Sequence, residues 1–353
     1  MQIGSFFEFP KLKEVNKESS VLYNLKKKNF HMTFVGDGRQ AIKLILLNFL
    51  ETYYVNSIYL PAYACFSVIQ PFLELSLKFN FYKLNSNLEP ILNLKIKNSL
   101  IYLIDYFGKE ILPNEIIENL SKNNLIILDI THSIFNEDRF KINSENVILV
   151  ASLRKIFPIP DGGIIYSKIP LNTNELKRNT LYIQMLDAMI LKKFYIEENL
   201  PKTSKKIYLK LYKNYEERKN KHIIRILNIP SISLDILINL DYFDILKKRK
   251  ENLYYLYENL NKKNNFSFFY KKEEIKSPFI FPLIFRTHEE REYYRKKLIE
   301  KDIYTPVHWA LPKFISNTFE EERKLSERIL SIPIDQRYGK KEMKYIINAI
   351  ESI

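Results

Sequence analysis

Three short segments of the sequence carry residue types that could do chemistry together. Asp129 directly follows the apolar run 125–128, and Lys155 follows the apolar run 147–150. The third segment contains Gly38 and Arg39 and passes from a predicted strand into a predicted helix. Free backbone N–H groups and the helix dipole favour an anion at such a helix start. The three segments together offer an amine, a carboxylate and an anion-binding site.

Glycine is scarce in this chain, which suggests that each glycine is kept for a local reason. Only seven of the 353 residues are glycine, whereas average usage near 7 % would give roughly 25. Five of the seven lie in three short segments, at positions 36 and 38, 108, and 162 and 163. Two of these segments flank the residues named above.

The elements that must position these residues follow from the apolar pattern. From about residue 33 to 167, short apolar or aromatic runs alternate with segments of helical spacing. The predicted strands are 57–60, 79–82, 100–104, 125–128, 147–150 and 164–166. This alternation predicts an α/β fold with a mostly parallel sheet that is covered by helices on both faces. Ligands of such sheets bind beyond the carboxyl ends of the strands, where Asp129 and Lys155 lie.

The second half of the chain predicts a smaller α/β domain. The stretch 202–225 is basic, rich in tyrosine and helical in character, and we interpret it as a bridge. After a break at 228–231, the pattern predicts one long helical segment over 234–260, a strand over 279–285, and helices over 289–301 and 341–350. We therefore expect a large domain over 1–200, and a bridging helix with a small C-terminal domain over 201–353.

Composition narrows the class of protein. Apolar residues make up 46 % and charged residues 27 %, with 24 Tyr and 24 Phe, which excludes a disordered chain. No apolar run reaches the roughly 18 residues of a membrane span. The first thirty residues contain Glu8, Lys11, Lys13 and Glu14, where a signal peptide would have an uncharged core. We expect a cytoplasmic protein that does not enter the membrane. The single cysteine, Cys65, excludes an internal disulfide and a cysteine-based zinc site, and no metal is predicted.

One cofactor uses the combination of residues described above. Pyridoxal phosphate is held by a lysine as a Schiff base, needs an acidic residue to keep its pyridine nitrogen protonated, and needs a cup for its phosphate. Lys155, Asp129 and the helix start at Gly38 and Arg39 supply these three groups. The net charge of +14 would also attract phosphorylated ligands.

The chain resembles the DegT/StrS-type aminotransferases, a branch of the fold-type I pyridoxal-phosphate enzymes that aminate keto sugars. Six strings carry the resemblance, in the order of the family: Gly38-Arg39-Gln40-Ala41-Ile42, Leu60-Pro61-Ala62-Tyr63, Phe107-Gly108, Leu128-Asp129-Ile130-Thr131-His132-Ser133, Lys155 followed by Asp161-Gly162-Gly163, and Ile329-Leu330-Ser331-Ile332-Pro333-Ile334. The resemblance implies the fold-type I architecture, with a large sheet sandwiched by helices and a smaller C-terminal α/β domain.

The resemblance also implies roles for individual residues. Lys155 would bind the cofactor covalently and, once released, shuttle a proton, while Asp129 would pair with the pyridine nitrogen. His132 would lie beside the ring oxygen of the cofactor, although a buried histidine in the core is the alternative. Ser152 would bind the phosphate together with the amides of the helix start.

Two departures from the family pattern concern the substrate. Cys65 stands where relatives place an aromatic ring on the cofactor, and the Asn-x-Arg of many sugar aminotransferases is absent from the matching stretch 229–233. Arg154 is a candidate substitute, because a guanidinium can bind a carboxylate or phosphate with two parallel hydrogen bonds. His308 and Trp309 could close over the substrate, although a packing role is equally open for Trp309.

The resemblance predicts a homodimeric aminotransferase with L-glutamate as donor and the ketone of a phosphorylated or nucleotide-linked carbohydrate as acceptor. The product would enter a capsule or another surface polysaccharide. One alternative acceptor is a small phosphorylated ketone such as a triose phosphate. Another alternative is nucleic-acid binding through the basic stretches 205–225 and 247–250. A third is cofactor binding without transamination, as in related regulators and dehydratases, but Lys155 argues against it.

Overall fold

The positions of the helices and strands come from a computed structural model, which describes residues 2–174, 176–198, 200–221, 223–261 and 265–353. The helices within these ranges are α1 Val21–Leu25, α2 Gly38–Phe49, α3 Phe66–Glu74, α4 Asn114–Ser121, α5 Ile183–Glu197, α6 Lys202–Lys221, α7 Ser231–Ile238, α8 Tyr242–Asn259, α9 His288–Glu300, α10 Glu320–Arg328 and α11 Lys340–Glu351. The strands are β1 Ile3–Gly4, β2 His31–Val35, β3 Ser57–Pro61, β4 Asn80–Leu84, β5 Pro90–Ile91, β6 Ser99–Ile104, β7 Leu125–Asp129, β8 Val147–Ser152, β9 Gly163–Ser167, β10 Phe266–Phe268, β11 Ile280–Phe285, β12 Ile303–Tyr304 and β13 Ile329–Pro333.

The main sheet has eight strands in the order β2-β9-β8-β7-β6-β3-β4-β5. Its central pairs, from β8 to β4, are parallel, and the outer strands β2, β9 and β5 pair antiparallel. Every residue of β6 and β8 is buried, which is typical of parallel strands with helices on both faces. The predicted fold class is thus confirmed.

The order of the strands changes direction at one point of the sheet edge. The chain moves from β3 to β4 on one side, and then from β6 through β7 to β8 on the other side of β3. Open α/β sheets bind ligands beyond the carboxyl ends of the strands at such a change of direction. Asp129 ends β7 and Ser152 ends β8, so both lie at this edge.

The C-terminal part of the chain contains a second, antiparallel sheet. Its order is β10-β11-β13, and α8, α9 and α11 contact each other or this sheet. The first strand of the chain also joins this part, because β1 pairs parallel with β12 through Ile3 and Ile303. No helix in the described ranges combines the length and apolar character needed to cross a bilayer.

The single long helical segment predicted over 234–260 is wrong, since the structure has two helices, α7 and α8, in its place. The side chain of Asp241 accepts hydrogen bonds from the amides of Phe243 and Asp244, both at 2.9 Å. An aspartate in this position satisfies N–H groups that a new helix leaves free. The apolar periodicity continues across the break and therefore conceals it.

Candidate active site

Asp129 is held at the end of β7 by two hydrogen bonds. Its Oδ2 accepts a hydrogen bond from the hydroxyl of Tyr102 at 3.0 Å, and its Oδ1 accepts one from the amide of Thr131 at 2.8 Å. Tyr102 lies on the neighbouring strand β6, in register with Ile127. The carboxylate therefore has a fixed orientation at the carboxyl edge of the sheet.

The start of α2 packs closely against two other segments. A Cβ added to Gly38 would lie 3.1 Å from Cβ of Ser152, and one added to Gly163 would lie 2.6 Å from the carbonyl oxygen of Asp37. Within the described residues, the amides of Gly38 and Arg39 have no acceptor. These amides and the hydroxyl of Ser152 therefore surround a place that suits a small oxyanion, which we call the oxyanion cup.

Most of the predicted site residues line one cavity at the edge of the sheet. Lys155 lies in the turn that follows β8 and projects from a partly buried position. The predicted residues that line this cavity with it are Gly38, Arg39, Cys65, Asp129, Ser152 and Arg154. The cavity thus brings together an amine, a carboxylate and an oxyanion cup, which is the combination that a phosphorylated aldehyde cofactor requires.

His132 does not line this cavity. Its ring stacks on Phe279 with 3.9 Å between ring centroids, and Nδ1 accepts a hydrogen bond from the amide of Phe107 at 3.2 Å. Burial, and then the charges of Lys155 and His308, lower the pKa of His132 well below 6.5. The neutral ring is part of an aromatic cluster behind the cavity.

His308 and Trp309 differ in their hydrogen-bond and cavity contacts. His308 lines a second cavity of about 650 Å³, which shares Arg154 and Lys155 with the first. Its Nδ1 lies 2.8 Å from Oγ of Ser331, and burial, and then the charge of Lys155, lower its pKa to about 3. Trp309 packs against Tyr63 and His132 instead, with centroid distances of 5.6 Å in both cases.

Arg154 has a partner within the chain. Its Nη2 lies 2.9 Å from Oε1 of Glu216 on α6, and both side chains are mostly buried. Burial alone would lower the pKa of Arg154, but the charge of Glu216 raises it well above its ordinary value. The guanidinium faces the cavity but is already held by a carboxylate.

Three further residues of the site were not among the predicted ones. Tyr102, Thr131 and Lys219 line the same cavity as Lys155. The sequence shows Tyr102 only as one apolar position of a strand, and it places Lys219 in a basic helix. Thr131 lies two residues after Asp129, so its place at the strand end was the only one of the three with a local signal.

Of the comparisons with known proteins, the one with solved structures supports this fold. No family model matches the chain, and no curated protein matches it. Among solved structures, PseC of Helicobacter pylori, an aminotransferase involved in the biosynthesis of pseudoaminic acid, is 13 % identical, with a TM-score of 0.63 and coverage of 100 % of this chain and 99 % of that one. The PLP form of the putative sugar aminotransferase Spr1654 from Streptococcus pneumoniae is 13 % identical, with a TM-score of 0.64 and coverage of 100 % and 98 %.

A third solved structure, NtdA of Bacillus subtilis with bound cofactor PMP, is 16 % identical, with a TM-score of 0.60 and coverage of 97 % of this chain and 78 % of that one. These similarities extend over both parts of the chain. The resemblance predicted from the sequence motifs is confirmed at the level of the fold: this chain has the fold of the sugar aminotransferases.

Proposed function

We propose that this protein is a pyridoxal-phosphate-dependent aminotransferase that transfers an amino group from L-glutamate to the ketone of a phosphorylated or nucleotide-linked carbohydrate. The observation that carries the proposal is the single cavity that contains Lys155, Asp129 and the start of α2. This cavity lies in a fold whose solved examples include PLP and PMP forms. The product would serve the synthesis of a surface polysaccharide.

The residues present fit this cofactor. A Cβ added at Gly38 would lie 3.1 Å from Cβ of Ser152, so a side chain at this position would close the space between the start of α2 and Ser152. At the other end of the cavity, Asp129 presents a carboxylate whose two oxygens are already oriented. The amine of Lys155 faces the same space and has no ion-pair partner among the described residues.

Each residue then has a defined task. When bound, pyridoxal phosphate supplies an aldehyde that condenses with amines and a ring that withdraws electrons from the reacting carbon. Lys155 would bind the aldehyde carbon through Nζ and, after release by the donor amine, move a proton to and from the substrate carbon. Asp129 would keep a proton on the ring nitrogen. Ser152 and the free amides of α2 would bind the phosphate.

The identity of the acceptor rests on the neighbours in the fold. These are described as sugar aminotransferases, which favours a carbohydrate over a small phosphorylated ketone.

Nucleic-acid binding is less well supported, because many cations of the two basic stretches have partners within the chain. The pairs are Lys205 with Asp302, Lys213 with Glu217, Lys247 with Glu251 and Lys248 with Asp244.

We also propose that the protein is a homodimer. Light scattering after gel filtration would measure its molar mass and so test this.

The first test is an absorption spectrum of the purified protein with pyridoxal phosphate. We expect a band near about 400 to 430 nm, typical of a lysine-bound cofactor, that excess L-glutamate shifts to shorter wavelength. The Lys155→Ala variant should lack the band. Lys247→Ala is the matched control, because this lysine is exposed on α8 and pairs only with Glu251.

The outcomes separate the parts of the proposal. A wild-type protein without the band would contradict the cofactor and the function. A band that glutamate leaves unchanged would contradict the donor alone. The two acceptors are then compared on the amino form of the protein. We expect a nucleotide-linked keto sugar to restore the band and dihydroxyacetone phosphate to leave it absent.

A further inference from the structure

Lys219, near the end of α6, brings a buried positive charge to the oxyanion cup. Its side chain is 6 % exposed, and Nζ lies 2.5 Å from Oδ2 of Asp37 and 3.4 Å from Oδ1 of Asp161. Nζ also donates a hydrogen bond to the hydroxyl of Tyr215 at 3.1 Å. Since Lys219 lines the same cavity as Lys155, this ammonium group lies beside the place where an anion would bind.

The cup needs this charge because it contains a carboxylate of its own. Asp37 precedes the first residue of α2, and its Oδ1 accepts a hydrogen bond from the amide of Gln40 at 3.0 Å. A helix start attracts anions, so a carboxylate there competes with and repels a second anion. Burial would raise the pKa of Asp37, but the charge of Lys219, and then that of Arg39, lower it to about 2. Asp37 is therefore ionised, and Lys219 neutralises it.

Asp161 adds a second carboxylate behind the same lysine. It belongs to the Asp161-Gly162-Gly163 segment, whose last glycine touches the backbone of Asp37. Without Lys219, the buried carboxylate of Asp37, which lines the cavity, would face any phosphate in the cup. The ammonium is thus the group that makes this particular cup compatible with a phosphate dianion.

We propose that Lys219 is the counter-ion for the phosphate of the cofactor and is supplied by the same chain that carries Lys155. The inference rests on the proposed function and adds a residue from α6 to its phosphate site. Arg39 links the two elements further, because its Nη1 donates a hydrogen bond to the backbone carbonyl of Lys219 at 3.1 Å. The alternative is that Lys219 only holds α6 against the sheet. In that case its loss would weaken the binding of ligands with and without a phosphate to the same degree.

The test compares pyridoxal phosphate with pyridoxal, which lacks the phosphate. Binding is measured through the fluorescence of Trp309, the single tryptophan of the chain, and through the absorption band. We expect Lys219→Met to lower the affinity for pyridoxal phosphate by about 10- to 100-fold, the range for a charge-assisted contact. The affinity for pyridoxal should fall by less than about threefold. Lys213→Met is the control, because Lys213 lies on the same helix with its side chain 75 % exposed.

Removing the repelling carboxylate provides the second measurement. Asp37→Asn keeps a residue type that can cap the helix, and in the Lys219→Met background it should recover most of the lost affinity for pyridoxal phosphate. Alone, Asp37→Asn should bind pyridoxal phosphate at least as tightly as the wild type, which tests the idea even if Lys219→Met fails to fold. Equal losses for both ligands, or no recovery in the double variant, would overturn the proposal. Failure of the wild type to bind either ligand would instead overturn the proposed function, and this inference with it.

A separate observation concerns the second cavity, of about 650 Å³, beside Lys155. Four arginines line it: Arg154, Arg249, Arg295 and Arg337. Three of them are held within the chain. Their partners are Glu216 for Arg154, the carbonyls of Ile156, Pro278 and Phe279 for Arg249, and Asp335 with Glu8 for Arg337.

Arg295, on α9, is different. Its Nη1 reaches Glu292 only at 3.5 Å, and its buried Nε has no hydrogen-bond partner among the described residues. The same cavity contains a second buried polar atom without such a partner, Oγ1 of Thr305, in a residue that is 5 % exposed. The Arg295 side chain as a whole is 38 % exposed, while its Nε is buried. Buried polar groups are nearly always satisfied, so these two buried donors are available to an acceptor that enters the cavity.

The geometry assigns Arg295 and Thr305 to the binding of an oxyanion of the substrate, either a donor carboxylate or an acceptor phosphate. This inference also rests on the proposed function, because the substrate must share the cavity with Lys155. It gives the chain an anion-binding arginine although the Asn-x-Arg stretch is absent. Both donors come from the C-terminal part, whereas Lys155 comes from the large sheet.

The test uses 2-oxoglutarate as the carboxylate and uridine diphosphate as the phosphate, with Trp309 fluorescence as the readout. We expect Arg295→Met to lower the affinity for one of the two ligands by about tenfold or more. Thr305→Val should lower the affinity for the same ligand by about threefold to tenfold. The control is Lys297→Met on the same helix, where Lys297 pairs with Glu300. Unchanged affinities for both ligands would overturn this assignment while leaving the absorption band intact.

Discussion

The hydroxyl of Tyr102 donates a hydrogen bond to Oδ2 of Asp129 across two neighbouring parallel strands, at 3.0 Å. A carboxylate that must face a ring nitrogen needs a fixed plane, and the amide of Thr131 holds only the other oxygen. Tyr102 therefore positions Asp129. The orientation of this carboxylate therefore depends on a residue that the sequence shows only as part of a strand.

We expect Tyr102→Phe to lower the affinities for pyridoxal phosphate and for pyridoxal to a similar degree, by about fivefold to 30-fold. The reason is that, in the proposed site, this hydrogen bond would act at the ring end of the cofactor, away from the phosphate. The fluorescence and absorption titrations measure both constants. Tyr54→Phe is the control, because Tyr54 is 83 % exposed. A loss confined to pyridoxal phosphate would show that Tyr102 acts on the phosphate cup instead.

Much of the site could be predicted because its residues lie next to local signals. Asp129 and Lys155 each follow an apolar run, and Gly38 begins a helix. The parallel order of the strands then brings these ends to one edge. The positions of Tyr102 and Lys219 depend on register and long-range packing, which the local pattern does not contain.

Two features of the sequence pointed elsewhere for physical reasons. The basic stretch that contains Lys219 has the composition of an exposed helix, yet this one side chain is drawn inward by Asp37 and Asp161. His132 lies three residues after Asp129, but it does not line the cavity, and its ring stacks on Phe279. In both cases tertiary contacts set the direction of the side chain.

Gly163 should tolerate no side chain. A Cβ there would lie 2.6 Å from the carbonyl carbon and oxygen of Asp37, and backbone atoms cannot rotate away as a flexible side chain can. We expect Gly163→Ala to lower the free energy of unfolding by about 1 to 3 kcal/mol and to weaken pyridoxal phosphate by more than about tenfold, because the start of α2 must move. Chemical denaturation and the absorption titration measure the two effects.

The matched control is Gly339→Ala, where the nearest atom to an added Cβ is Oε2 of Glu342 at 3.9 Å. This glycine precedes α11, so alanine should lower the free energy of unfolding by less than about 1 kcal/mol through the weaker cap. Its affinity for pyridoxal phosphate should stay at the wild-type value. Equal affinities in the two alanine variants would mean that the contact between Gly163 and Asp37 is not tight in solution.

His308 should make the protein sensitive to acid. Burial and the charge of Lys155 lower its pKa to about 3, whereas in the unfolded chain it takes up a proton below about pH 6.5. The unfolded state therefore binds more protons between these values, and the free energy of unfolding falls as the pH drops from about 6.5 towards 3. Between about pH 7 and pH 4.5 the contribution is about 2 to 3 kcal/mol.

We expect His308→Asn to remove this contribution, so that thermal unfolding of the variant without cofactor shifts less between about pH 7 and pH 4.5 than that of the wild type. Asparagine keeps a polar group that can reach Ser331. His31→Asn serves as the control, because His31 is exposed at the start of β2. An equal shift in the wild type and His308→Asn would show that His308 is readily protonated in the folded protein.

The pair of Arg154 and Glu216 separates a structural role from substrate binding. Removing only Arg154 leaves a mostly buried carboxylate without its partner, so Arg154→Ala should lower the free energy of unfolding by about 2 to 4 kcal/mol. Removing both partners in Arg154→Ala/Glu216→Ala should restore most of that loss, because no unpaired charge remains. Chemical denaturation of the two variants measures the difference.

The same two variants also decide whether Arg154 binds the substrate. Because Glu216 already occupies its guanidinium at 2.9 Å, we expect the double variant to bind 2-oxoglutarate and uridine diphosphate within about threefold of the wild type. A double variant that regains stability but binds one ligand about tenfold more weakly would instead identify Arg154 as an anion-binding residue. In that case Arg154 would share this task with Arg295, the arginine of the cavity that the chain leaves least engaged.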